Sequence, residues 1–245
     1  MAEWREQYVC RCESGFWDQS GHTEVTVPVG FHVYWLDDPS SNSAYNRPEM
    51  DAKDRQLGHS EVYEGRFSAN GFFLHSTGTY YLITDPIYVQ SGRAARGEVM
   101  YMHVFDLNSG GGARLGLTDG DGCFTGDYAR APFEKSAIEA AVTWGAWQGT
   151  YGDGKLPNRQ WVKLSAPEML PTQGHVRLVV QFNLDYAGFG GGHFDVFRVE
   201  QYMEQDEPPE PQPGDVMRVE IVGPVVVRIE TSSLLDRIGA LLRRP

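Results

Sequence analysis

The alternation of apolar and polar residues between Gln160 and Val199 is the feature that most constrains what this chain can fold into. Gln160-Trp161-Val162-Lys163-Leu164 alternates, His175 to Phe182 alternates, and His193-Phe194-Asp195-Val196-Phe197-Arg198-Val199 closes the stretch. Successive side chains of a strand point to opposite faces, so each run offers one apolar face to a core and one to water. Runs of this kind between Pro and Gly turns predict antiparallel strands of a sandwich, with a glycine hinge at 188–192 before the last of them.

The rest of the first 200 residues extends the pattern. Glu6–Cys12, His22–Val29, Phe31–Trp35, Phe72–His75, Tyr80–Val89 and Gly97–Leu107 read as further strands, with Val99, Tyr101, His103 and Phe105 on one face of the last. Asp37–Gly58 reads as a long polar loop. Pro132–Ala141 is the one helix expected in this region, because Pro suits a first helical position and Phe133, Ala137 and Ala141 fall on one face. Aromatics at 12% and 28 glycines agree with a turn-rich β protein. The net charge of −12 argues against nucleic acid or an anionic membrane as partner. No run reaches the ~18 apolar residues of a membrane helix, so no membrane insertion is expected. The N-terminus has no basic-then-apolar pattern, so synthesis in the cytoplasm without a signal peptide is expected. Cys10, Cys12 and Cys123 imply no disulfide framework.

Composition changes at Glu204. Residues 1–203 are expected to form the β domain, and 204–215 a semi-rigid acidic linker containing Pro208, Pro209, Pro211 and Pro213. Residues 216–245 form a tail. In it, Met217–Ile221 and Val225–Ile229 flank Gly223-Pro224 as a hairpin, and Ser232 or Ser233 caps a final helix. Leu234, Leu235, Ile238, Leu241 and Leu242 give that helix an apolar stripe. A helix of about a dozen residues is marginal alone. The stripe therefore predicts docking onto a second copy or another structural subunit, which a linker of on the order of 37 Å allows at ~3.1 Å per residue.

Several short pieces appear in one order: Cys12-Glu13-Ser14-Gly15-Phe16, Asn46-Arg47-Pro48-Glu49, Gly78-Thr79-Tyr80-Tyr81, Trp144-x-x-Trp147, Trp161-Val162-Lys163-Leu164 and Phe194-Asp195-Val196-Phe197. With these the N-terminal 200 residues resemble the jelly-roll carbohydrate-binding-module superfamily, the galactose-binding-like β-sandwich of bacterial and phage surface proteins. The resemblance implies an all-β fold, a two-sheet antiparallel jelly-roll β-sandwich, to which the linker and tail are added. It also implies a structural calcium ion (Ca2+) joining the first and last strands, with Glu13 and Asp195 as its carboxylates. Cys12 departs from the usual aromatic of the opening motif, Gly122–Ala141 is longer than the matching loop, and the last 40 residues have no counterpart.

Sugar rings present apolar C–H faces that stack on aromatic rings, so loop aromatics suit glycan binding. Trp35, Trp147, Tyr151 and Tyr186 are the candidates, whereas Trp144 and Trp161 are expected in the core. Asp119, Asp121 and Asp127 fail the EF-hand spacing and read as a turn. Seven scattered histidines offer no metal-binding pair, and neither a nucleophile elbow nor a phosphate loop is present. No carboxylate pair stands out for glycoside hydrolysis. The expected function is therefore non-catalytic: a virion or surface-assembly protein, located in the virion or an extracellular surface assembly, that adheres to a glycan or cell-surface polysaccharide. The alternative is a dedicated lectin-like module without an assembly role.

Overall fold

Alternating runs need a second apolar face to bury against, and the chain supplies it by folding back on itself as two sheets. The structure is a computed structural model that describes residues 3–13, 16–18, 26–36, 49–74, 78–105, 111–120, 135–149, 159–184, 189–203, 219–221 and 227–229. In chain order the strands are β1 (Glu3–Cys10), β2 (Phe16–Asp18), β3 (Thr26–Pro28), β4 (Phe31–Leu36), β5 (Glu49–Asp54), β6 (Phe67–Leu74), β7 (Gly78–Thr84), β8 (Ile87–Tyr88) and β9 (Ala95–Phe105). They continue with β10 (Gly111–Thr118), β11 (Thr143–Trp144), β12 (Gln148–Gly149), β13 (Trp161–Ser165), β14 (His175–Leu184), β15 (Phe189–Met203), β16 (Val219–Ile221) and β17 (Val227–Ile229). The helix α1 spans Lys135–Ala141, inside the stretch expected to be helical.

The first sheet has the order β13-β9-β15-β6-β5, with β1 also on β15. The second has the order β11-β10-β14-β7-β4, with β12 on β10 and β8 on β14. The chain crosses repeatedly from one sheet to the other, at β4 to β5, β6 to β7, β8 to β9, β9 to β10, β12 to β13, β13 to β14 and β14 to β15. The fold is an all-β, two-sheet antiparallel jelly-roll sandwich. One apolar core joins the sheets: Val99, Tyr101, Leu164, Phe194 and Phe197 from the first meet Tyr80, Leu82, Leu115, Val180 and Phe182 from the second. Phe31 and Phe197 touch across the gap with ring centroids 4.6 Å apart. At roughly 1.5–3 kcal/mol per large apolar side chain, this layer drives folding.

Two local expectations are corrected. The glycines at 190–192 are within β15 rather than a hinge, paired with β6 and β9. A Cβ at Gly192 would lie 2.8 Å from the Phe194 ring and 3.0 Å from that of Tyr101, so the glycine makes room for core aromatics. Glu49–Asp54, within the expected polar loop, is the edge strand β5; Met50 faces inward while Asp51 and Lys53 pair with each other at 2.8 Å. A polar edge strand shows little of the apolar signal by which strands are read. Of the expected strand His22–Val29, Thr26–Pro28 is described, as β3.

Trp4–Met203 form one compact unit, and Met1–Glu3 with Glu204–Pro245 a second. Within the second, β16 and β17 pair antiparallel with Val219 opposite Ile229 and Ile221 opposite Val227. The linker 204–215 and the stripe Leu234, Leu235, Ile238, Leu241 and Leu242 lie outside the described residues. Among the described residues, no helix is long and apolar enough to cross a membrane.

Candidate functional site

The outward side of the second sheet carries an aromatic and polar row. Register sets Arg114 opposite Gln181, Gln181 opposite Tyr81, and Tyr81 opposite Tyr34, so all four share the face turned away from the core. Trp144 stands opposite Gly116 on the same face. A Cβ on Gly116 would come within 2.8 Å of the Trp144 ring, so the missing side chain is what lets the indole lie down on the sheet. Ile138 and Val142, from α1 and the residue after it, pack with Tyr34, Tyr81, Ile83 and Val179 as a second apolar cluster.

Arg114 is the centre of this face. Its guanidinium lies 4.3 Å from the centroid of Trp144 and 4.8 Å from that of Trp147. It donates from Nε to Gln181 Oε1 at 2.8 Å and from Nη2 to Glu139 Oε1 at 3.4 Å. Cation–π contact and hydrogen bonding thus fix a planar donor group beside a half-buried indole. Two polar atoms of the face, the Tyr81 hydroxyl and Trp144 Nε1, are buried without a hydrogen-bond partner. Burial of Tyr81 raises its pKa, so the phenol keeps its proton and remains a donor.

The outward side of the first sheet is built differently. Asp195, fully buried, accepts at Oδ2 from the Tyr63 N–H (3.1 Å) and the Glu64 N–H (3.0 Å), and at Oδ1 from its neighbour Val196 (2.8 Å). Glu13 Oε1 accepts from the N–H groups of Arg66 (2.6 Å) and Phe67 (2.9 Å). One carboxylate from just beyond the end of β1 and one from β15 thereby hold the same segment, residues 63–67, against the sheet. Gly65, at φ +71°, is needed there, because a Cβ would run into the Glu13 carboxylate. Burial pushes Asp195 up to about 6, the Glu64, Val196 and Tyr63 N–H groups pull it down, and Glu13 adds to the rise.

Beside this segment Cys10 and Cys12 are buried, and the Cys12 N–H donates to Cys10 Sγ at 3.4 Å. Cys12 adopts φ 57°, off the extended path of β1. The contact with the Cys12 thiol brings Cys10 down to about 7, against the opposing effect of burial.

No family model and no curated protein matches the chain. Solved structures with a similar fold include TmCBM61 in complex with β-1,4-galactotriose, at 13% identity, covering 70% of this chain and 88% of that one with a TM-score of 0.42. The CBM22-1 xylan-binding domain of Xyn10C from Paenibacillus barcinonensis is 11% identical, with coverage of 80% and 94% and a TM-score of 0.43. The Stig cyclase Fisc from Fischerella sp. TAU, solved with an indole ligand, is 14% identical, with coverage of 71% and 85% and a TM-score of 0.41. Fold alone does not set function, which has to be read from the side chains of this chain.

Of the residues expected to bind glycan, Trp147 is placed on the outer face of the second sheet, against Arg114. Trp35 lies in β4 opposite Tyr80, and its side chain is outside what the structure describes, as are Tyr151 and Tyr186. Glu13 and Asp195 are brought to one segment. Among the described residues, no group of three or more His, Cys, Asp or Glu side chains is placed to hold a metal ion. Both oxygens of Asp195 and Oε1 of Glu13 already accept from backbone N–H groups, so a calcium ion would have to share their remaining lone pairs or displace those bonds. Sequence reasoning passed over Arg114, Gln181 and Tyr81. One signal was available: Arg114 is the single charged residue of Gly111–Thr118, and a charge there needs a partner on the face it occupies.

Proposed function

We propose that this protein is a non-catalytic glycan-binding sandwich, and that its binding surface is the outer face of the second sheet around Trp147. The observation that carries the proposal is the combination on that face of the half-buried Trp147 indole and a guanidinium, that of Arg114, held between it and Trp144. A saccharide offers a C–H face to the ring and hydroxyl acceptors to the guanidinium.

The test is titration of the full-length protein with soluble cell-surface polysaccharides, read by tryptophan fluorescence and by retardation in polysaccharide-containing gels. Saturable binding that is abolished in Trp147→Ala and at least about tenfold weaker in Arg114→Ala supports the proposal. No retardation by any polysaccharide, or retardation unchanged in Trp147→Ala, overturns it.

Two further elements of the proposal rest on other residues. The apolar stripe Leu234, Leu235, Ile238, Leu241 and Leu242 supports a place in a virion or extracellular surface assembly, with the tail docked on a neighbouring copy or subunit. A structural Ca2+ at Glu13 and Asp195 would tie β1 to β15. Excess chelator then lowers the melting temperature; unchanged melting leaves those carboxylates as acceptors for the 63–67 segment alone.

A further inference from the structure

We propose that a cleft on the outer face of the first sheet is a second saccharide site, which takes a single neutral pyranose ring. It is independent of the surface proposed above, since it lies on the other sheet and shares no residue with it.

The cleft begins at a bulge in β15. Pairing with β9 changes register between Asp195 and Arg198, and Val196 there has φ 50°. Left-handed backbone at a β-branched residue is strained, and the surrounding structure must impose it. Bulges of this kind interrupt the pairing of neighbouring strands and re-aim the side chains beside them. Next to the bulge lies a cleft of about 230 Å³ lined by Tyr63, Glu64, Glu98, Lys163, Val196 and Arg198. That is smaller than the ~300–1,000 Å³ of drug-sized pockets, which suits one ring rather than an extended chain.

One wall is a placed aromatic. Tyr63 is 46% exposed, yet its ring is held at 5.5 Å, edge to face, by Trp161. Its backbone cannot swing away easily, because the Tyr63 and Glu64 N–H groups both end on the buried Asp195. Such a ring loses little freedom when a sugar stacks on it.

The charges around the cleft select for a neutral ligand. Lys163 Nζ is 2.7 Å from Glu98 Oε1, Arg11 Nε is 2.8 Å from Glu64 Oε1, and Arg198 Nε is 3.1 Å from Glu6 Oε2. Each charged side chain of the lining thus has an opposite charge beside it, Glu98 and Lys163 within the lining and Glu64 and Arg198 beyond it. A charged ligand would have to break one of these pairs, whereas hydroxyl groups bond to the lone pairs and N–H groups that the pairs leave over.

The experiment is backbone-amide NMR of the full-length protein titrated with the methyl β-pyranosides of glucose, galactose and xylose, and with glucuronate as a charged counterpart. The expected result is saturable shifts at Glu98, Met100 and Lys163 with at least one neutral pyranoside. They persist in Tyr63→Phe and Trp147→Ala and weaken at least tenfold in Tyr63→Ala and in Lys163→Ala. Because Tyr63 and Lys163 are exposed, these variants should fold, which the same spectra verify. Shifts that survive Tyr63→Ala, shifts with glucuronate alone, or none with any of the three neutral sugars overturn the proposal. Loss of polysaccharide binding in Trp147→Ala with the pyranoside shifts intact separates the two sites.

Discussion

The two sheets turn opposite solutions outward. The second is covered by side chains: Trp144, Trp147 and the apolar residues Ile138 and Val142 lie over Tyr34, Tyr81 and Val179. The first is covered by backbone, the 63–67 segment, whose amides end on Asp195 and Glu13. Buried backbone must have its polar groups paired, so a cover of this type consumes carboxylate acceptors and becomes fixed in place. An aromatic cover has no such requirement, and here it leaves Tyr81 OH and Trp144 Nε1 unpaired. The covered carboxylate is therefore a structural anchor. The first sheet has such atoms too: His193 Nδ1, Arg198 Nε and, on its core side, Tyr101 OH are buried without a hydrogen bond.

Removing the anchor tests this contrast most strongly. Asp195→Ala leaves the N–H groups of Tyr63, Glu64 and Val196 without acceptors, at roughly 1–3 kcal/mol each, so a loss of about 4 kcal/mol is expected. Urea denaturation should show a lower midpoint, and amide exchange should accelerate at Tyr63 and Glu64. A loss below about 1 kcal/mol would mean that the segment is held by other contacts.

Titration sharpens the comparison within the first sheet. Asp195 is raised to about 6 and His193 lowered to about 4, both chiefly by burial. Glu61, Asp51, Lys53 and Arg159 also act on His193. A raised carboxylate contributes stability below its ordinary value of 3.8 and loses it as pH climbs through about 6. A lowered imidazole contributes stability above its ordinary 6.5 and loses it as pH falls towards about 4. The two oppose each other in that window. On going from pH 7 to pH 4.5, His193→Gln should gain on the order of 2 kcal/mol relative to the parent protein, and Asp195→Asn should lose a similar amount. Parallel pH profiles for all three proteins would remove both assignments.

On the second sheet, Arg114→Ala should cost about 1–2 kcal/mol through the lost cation–π stack and leave Trp147 more mobile, seen as a red-shifted emission. Tyr81→Phe should act in the other direction. It deletes a buried hydroxyl without a partner, so the ligand-free protein should be unchanged or more stable by up to about 1 kcal/mol. If Tyr81→Phe destabilises the free protein, the hydroxyl is not an unspent donor.

The smallest expected effect on the sandwich comes from the tail. Deleting Leu234 to Pro245 should leave melting of the Trp4–Met203 unit within about 0.5 kcal/mol of the parent while reducing self-association in sedimentation. A full-length protein that remains monomeric at high concentration counts against the assembly role.

How much of this was written in the sequence follows from the range of each interaction. Alternation is a property of neighbouring residues, so the strands at Gly97–Leu107, His175–Phe182 and His193–Val199, the sandwich class and the β16–β17 hairpin could be read directly. Trp147 was legible as a candidate by its type and setting. Its partner was not: Arg114 reaches Trp147 through the β10–β12 and β10–β14 registers, across residues 33 and 67 positions apart for Arg114 to Trp147 and Arg114 to Gln181 respectively. Glu13 and Asp195 were picked out as a pair by resemblance, yet what they hold, the amides of residues 63–67, comes from a third region of the chain. The bulge at Val196 is marked by the adjacent apolar pair Val196-Phe197, where the buried positions pass from Phe194 to Phe197 and Val199, whereas β5 was hidden by its polarity. Sequence sets which way each side chain points along its own strand; sheet order and register decide which faces meet, and these depend on the collective packing of the core rather than on any one stretch of residues.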